Sequence, residues 1–149
     1  MRHRVAGRKL GRRTSHKEAM LCNLVSSLYK RGRIITTIAK AKEATPLADH
    51  YITVARRGDL ASRRYILRFL SEKDIVNKLF NVIAAYNPKR NSGYTRIIRL
   101  GFRKGDGAET AIWELMDRPK EEKSKKEKGK EKNKEKAEVK EKIEPIKEK

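Results

Sequence analysis

One cysteine, four prolines and nine aromatic side chains are all that this chain of 149 residues holds of those types. A single thiol, Cys22, excludes an internal disulfide and a zinc site built on cysteines, and it fits a reducing compartment. Acidic residues are missing from the first fifteen positions and scarce beyond them. In the whole chain 19 Asp and Glu face 39 Lys and Arg, a net charge of +20. No apolar run approaches the roughly 20 residues that span a bilayer, so no membrane partner is expected. The start also lacks the apolar segment of a secretory signal. An acid-free, Arg-rich start shares features with organelle transit peptides. Against that, Gly7 and Gly11 break any amphipathic helix, and only Thr14 and Ser15 carry hydroxyls. The balance favours the cytoplasm.

Catalytic groupings are absent too. His3, His16 and His50 are far apart, and the one acid beside a histidine, Asp49, is its immediate neighbour, which on a helix faces away from it. Gly101, Gly105 and Gly107 lack the following Lys-Ser/Thr or the strand-to-helix setting of a phosphate cradle. Glu18 and Glu72 lie at or near helix starts, and Cys22 sits beside an apolar helix face with no partner that would activate it. The expectation is a protein that is not an enzyme, with no cofactor, metal or small-molecule substrate.

What the chain does have is charge, unevenly placed. Residues 1–117 hold 25 Lys and Arg against 10 Asp and Glu, and residues 118–149 hold 14 against 9. The first fourteen residues carry Arg2, Arg4, Arg8, Lys9, Arg12 and Arg13, with only Val5, Ala6 and Leu10 to offer a core. Such a stretch cannot offset its own ordering entropy and stays extended until a polyanion meets it. Composition alone leaves a solvated tail or a targeting peptide as the alternative. At the other end, residues 118–149 are a Lys/Glu mixture of low complexity, expected to be disordered or transiently helical.

Between the two, residues 15–117 read as one domain. Ser15 to Glu18 has the form of a capping box, and Leu21, Leu24, Val25 and Leu28 make one helical face that closes at Gly32. Residues 33–38 are β-branched and predict a strand. A helix follows to Gly58, kinked at Pro46. Asp59 is positioned to cap a third helix bearing Leu60, Ile66, Leu67 and Leu70, and Ser71 a fourth bearing Ile75, Val76, Leu79, Phe80 and Ile83. Residues 86–93 form a basic loop. Tyr94, Arg96, Ile98, Leu100 and Phe102 alternate with Thr95, Ile97 and Arg99 along a strand, which turns at residues 103–107 into a second strand at 111–116. The expected fold is α+β: about four helices packed in two layers on a small mixed β-sheet.

Candidate phosphate contacts fall into three groups: the arm; Arg63, Arg64 and Arg68 on the third helix; and Lys89, Arg90, Arg96, Arg99, Arg103 and Lys104 around the hairpin. Arginine outnumbers lysine 16 to 9 in residues 1–117, whereas the tail has 13 lysines and one arginine. Guanidinium groups bind phosphate through paired hydrogen bonds, so the domain suits geometric recognition and the tail suits solvation. Tyr94 can stack on a base or pack into the sheet.

Several stretches, taken together and in order, resemble the bacterial large-subunit ribosomal protein seventeen family. They are Met1-Arg-His-Arg-x-Ala-Gly-Arg-Lys-Leu-Gly-Arg, Arg33-x-x-Thr-Thr37, Ala39-Lys-Ala-Lys-Glu43 with Pro46-Leu-Ala, Gly93-Tyr-Thr-Arg-Ile97 and Arg103-Lys-Gly-Asp106. The resemblance spans residues 1 to about 117. It implies a structural role in the large subunit, with large-subunit rRNA and neighbouring ribosomal proteins as partners, near the outer end of the nascent-chain exit tunnel. It also implies rRNA contacts from Arg2, His3, Arg4, Arg8, Lys9, Arg12 and Arg13, and from Tyr94, Thr95, Arg96, Arg103 and Lys104 in the hairpin. Phe102 and Trp113 depart from what the family leads one to expect in the hairpin, and the resemblance does not extend to the tail.

Overall fold

In the computed structural model, residues 7–86 and 90–116 are described. The expected contacts Arg2, His3, Arg4 and Lys89 lie outside them, as does the expected disordered tail. Helix α1 spans Thr14–Arg31 and buries Leu21, Val25, Leu28 and Tyr29. It begins one residue before the expected cap. Arg13 takes the extended N-cap conformation with no side-chain bond, and Ser15 falls inside the first helical turn, so the capping box does not form. The far end stops as predicted: Gly32 turns left-handed at φ 73° and donates its N–H to Leu28 O. A lysine from a distant helix adds to that end, Lys78 Nζ donating to Lys30 O at 2.8 Å.

Strand β1 is Arg33–Thr37, and α2 runs Ile38–Ala55 straight through Pro46 as a single helix. Proline deletes the N–H that would reach Lys42 O, but Pro46 is exposed, on the side of the helix away from the core. The buried face is rich in alanine (Ala41, Ala44, Ala48, Ala55), which lets α1 approach closely enough for Tyr29 Oη to donate to Ala48 O at 2.8 Å. Asp59 caps α3 (Leu60–Leu67) by accepting from Ser62 N–H at 3.2 Å, as its position predicts. This short helix buries only a narrow stripe. Ser62, Ile66 and, just past its end, Leu70 go inside, while Leu60 and Leu67, expected on the core face, stay exposed. Helix α4 (Lys73–Lys78) has Glu72 rather than Ser71 at its N-cap, without a side-chain bond. It passes into a π-helical turn at Leu79–Ile83 and a final turn α5, Ala84–Tyr86. The predicted face is kept, with Ile75, Val76, Leu79 and Ile83 buried and Phe80 packed against the core.

Strands β2 (Thr95–Phe102) and β3 (Glu109–Leu115) form the hairpin, and β1 pairs with the far side of β3, giving the order β1-β3-β2. Both pairings are antiparallel, so the sheet is antiparallel throughout rather than mixed. The architecture is otherwise the expected two-layer α+β arrangement. Ile34, Ile97, Trp113 and Leu115 face the helices, Trp113 with no exposed surface. Arg33, Ile35, Ile98, Ile112, Glu114 and Arg96 share the opposite face by register. The regular alternation expected from Tyr94 to Phe102 fails at both ends. Tyr94, just before β2, is buried, and a bulge between Arg99 and Gly101 leaves Leu100 unpaired and sets Phe102 opposite Glu109. Phe102 thus sits on the helix-side face but beyond the helices, 78% exposed.

Candidate nucleic-acid interface

The arm enters the described structure at Gly7, and its root is turned rather than extended. Arg12 N–H donates to Lys9 O at 3.2 Å across a tight turn whose central residues, Leu10 and Gly11, both have positive φ (55° and 63°). Glu43 of α2 holds this root by its main chain. One carboxylate oxygen accepts from Arg8 N–H at 3.1 Å, and the other takes Lys17 Nζ of α1 at 2.8 Å. Gly7 is needed here twice over: its φ is +85°, and a Cβ would stand 2.5 Å from Glu43 Oε1. The ammonium of Lys17 and the amide of Arg8 hold the Glu43 carboxyl below its ordinary range despite partial burial. Because the anchor is a backbone amide, the side chains stay available. Arg8, Lys9 and Arg13 are exposed, and none forms an ion pair among the described residues. Arg12 is half-buried, with Nη1 donating to Leu10 O at 3.0 Å. The exit of the arm is therefore set by Glu43, where the sequence had pointed to a cap at Ser15.

Around the hairpin the arginines are engaged within the protein. Arg103 binds Asp106 through two hydrogen bonds that hold this carboxyl far below its ordinary range. Arg99 lies 3.6 Å from Glu109. Arg96 Nε contacts Glu114 Oε1 at 2.5 Å, and Arg33 Nε lies 3.8 Å from the other oxygen of the same buried carboxylate. Of the two roles open to Tyr94, stacking on a base or packing, the structure shows packing. Tyr94 is 2% exposed, and its hydroxyl accepts from Arg56 Nη1 and donates to Arg90 O, each at 2.9 Å. Thr95 is half-buried and donates to Asp49 Oδ1 at 3.4 Å. Burial raises the Asp49 carboxyl, against the N–H groups that surround it. Arg90 Nη1 reaches back to Gly93 O at 3.2 Å, which braces the loop. Lys104 at the tip is exposed and without an ion pair among the described residues.

On α3, Arg64 and Arg68 are exposed with no ion pair among the described residues, but Arg63 is not equivalent. Its Nη1 donates to Asn77 Oδ1 at 2.7 Å, and its guanidinium lies 4.8 Å from the centre of the Phe80 ring. Arg57, not singled out from the sequence, is exposed near Asp59, whose carboxyl its charge helps to lower. The pair Arg56-Arg57 just before a helix-stopping glycine was the available sign.

Among the described residues no group of His, Cys, Asp and Glu could hold a metal ion. Burial raises the Cys22 thiol, which donates to Phe69 O. A groove of about 1000 Å³ bounded by α1, α2 and the segment after α3 is lined by apolar side chains such as Leu21, Leu47 and Phe69 and by Glu18, Arg68 and the ion-paired Lys17 and Glu43.

Comparison with known proteins shows what the chain is similar to. Residues 20–116 match the family model described as ribosomal protein L17. The large ribosomal subunit protein bL17 of Finegoldia magna is 51% identical over 117 residues, 78% of this chain and 89% of that protein. Its counterpart in Clostridium acetobutylicum is 52% identical over 109 residues (73% and 96%), and that of Acidobacterium capsulatum 48% over 128 (86% and 80%).

Proposed function

This chain belongs to the ribosomal protein L17 family, and from that premise we propose that it is a structural constituent of the large ribosomal subunit that binds large-subunit rRNA near the outer end of the nascent-chain exit tunnel. The arm root carries this reading. Its backbone is fixed to the domain by Glu43, while Arg8, Lys9 and Arg13 remain free for phosphate. Arg64 and Arg68 supply a second positive surface on the helical side, and Lys104 a third at the hairpin tip. Arg2, His3 and Arg4 extend the arm beyond the described residues. Binding by such groups is sequence-independent in itself. Specificity comes from matching the fixed spacing of these cations to folded RNA, and the family assignment supports a cytoplasmic location with the subunit. Other large-subunit proteins are its neighbours there, and it performs no chemistry.

Two deletions test the assignment. Removing Met1 to Arg13 is expected to lower incorporation into large subunits at least about tenfold in competition with the full chain, given six lost cations. Removing Lys120 to Lys149 is expected to leave it nearly unchanged. Sucrose-gradient fractionation reads both. Equal losses would overturn the division of labour, and a pool sedimenting with DNA in place of the large subunit would overturn the function.

A further inference from the structure

The sheet face turned away from the helices is built differently from the rest of this cationic molecule. Across its middle run Ile35, Ile112 and Ile98, directly opposite one another on β1, β3 and β2. Ile35 is 69% exposed and Ile98 40%, with Leu100 of the bulge, half-exposed, next along β2. Two residues along each strand, on the same face, lie Arg33, Glu114 and Arg96. Glu114 is only 2% exposed, and both flanking guanidinium groups direct Nε at it. Both arginine side chains are about half exposed.

From this arrangement we infer that the outer sheet face is a docking surface for a protein segment that presents aliphatic side chains to Ile35 and Ile98 and a carboxylate to Arg33 and Arg96. Charge decides between protein and RNA. Arg33 and Arg96 share the single buried carboxylate of Glu114, which leaves one net positive charge on this face, a match for one partner carboxylate and a poor one for a run of phosphates. The face therefore has little net positive field, in contrast to the arm root. Its centre also has no aromatic ring on which a base could stack, only branched aliphatic chains whose burial is favourable against other apolar side chains. The two arginines, held in place by Glu114, offer directed donors that suit a single carboxylate in the rim of a protein contact.

The inference rests on the ribosomal reading, and the test separates the two. A photoreactive phenylalanine derivative replaces Ile35 in the full-length chain, with a second version at Arg64 as the RNA-facing control. Large subunits are isolated on a gradient, irradiated and digested with ribonuclease. The expected result is an adduct of Ile35 with another large-subunit protein, unaffected by ribonuclease, and a ribonuclease-sensitive adduct at Arg64. Adding Ile98→Asp is expected to cut the Ile35 protein adduct at least tenfold while cosedimentation is retained, since neither position lies in the core. An RNA adduct at Ile35, an adduct with a second copy of this chain or with its own tail, or no adduct overturns the docking surface alone. Failure of the full chain to cosediment with large subunits overturns the ribosomal reading and the docking surface with it.

Discussion

The arm root and the hairpin tip look alike in sequence: each is a short run of glycines and basic residues with one turn in it. In the structure they are opposites. At the tip, Asp106 takes the guanidinium of Arg103 and the turn satisfies itself. At the root, Glu43 takes the amide of Arg8 and leaves its guanidinium outward. The same residue type, a carboxylate, neutralises one site and displays the other, and the difference is which hydrogen-bond donor it engages. Basic residues become a binding surface only where their charge is not already spent.

The comparison is exposed to direct attack. The largest effect is expected from Arg8→Ala with Arg13→Ala, which should weaken binding to a large-subunit rRNA fragment by about tenfold and reduce the salt slope by about two. The matching pair in the hairpin, Arg99→Ala with Arg103→Ala, should cost less than about threefold, since those groups are already paired. Filter binding across a salt series measures both, and equal losses would erase the distinction. Next comes the clamp. Glu43→Ala frees the root and should lower affinity by about threefold through lost preorganisation, with Glu43→Gln intermediate because an amide oxygen still accepts from Arg8. Asp106→Ala should not weaken binding, and a drop there would show that the tip contributes in its closed form.

Smaller effects separate the glycines. Gly105, at φ +108° with open space around it, should lose about 1 kcal/mol of stability on substitution by alanine, seen in denaturant unfolding, with RNA affinity unchanged. Gly7→Ala meets Glu43 but can relieve the clash by releasing the root. It should leave unfolding unchanged and reduce affinity by about twofold, the scale of a partly lost anchor. The subtlest difference is in acid. Both carboxyls are depressed on folding, so each contributes above its unfolded pKa and loses that contribution as pH falls through the folded value. Asp106 is depressed further than Glu43. On acidification the Arg8 amide should therefore respond before the Arg103 side chain does, which NMR titration of the two signals would record; the reverse order would contradict the assignment of the two clamps.

What could be read from the chain beforehand was what depends on near neighbours. The stop at Gly32, the cap at Asp59, the apolar face from Ile75 to Ile83 and the existence of the hairpin are all settled within one or two turns of backbone, and all stand. The capping box at Ser15 was a plausible local pattern that lost to a cap two residues earlier, at Arg13. The π-helical turn and the bulge at Leu100 change periodicity by one residue, which an averaged pattern does not register. The site was less legible than the fold. Glu43 lies 35 residues from Arg8, and Glu114 lies 18 from Arg96 and 81 from Arg33, so which cations are spent depends on tertiary placement. Counting charge found the basic regions, but only the packed structure separates Arg63 from Arg64 or chooses packing over stacking for Tyr94.

The strand order β1-β3-β2 has a consequence in time. The middle strand is the last to be synthesised, so neither edge strand has a partner until Glu109 to Leu115 has left the ribosome that makes it. At about 5–20 residues per second, the charged arm is out for roughly 5–20 s before the sheet can close beneath it. A chain interrupted anywhere before Glu109 has the cationic arm and neither of the sheet's two strand pairings.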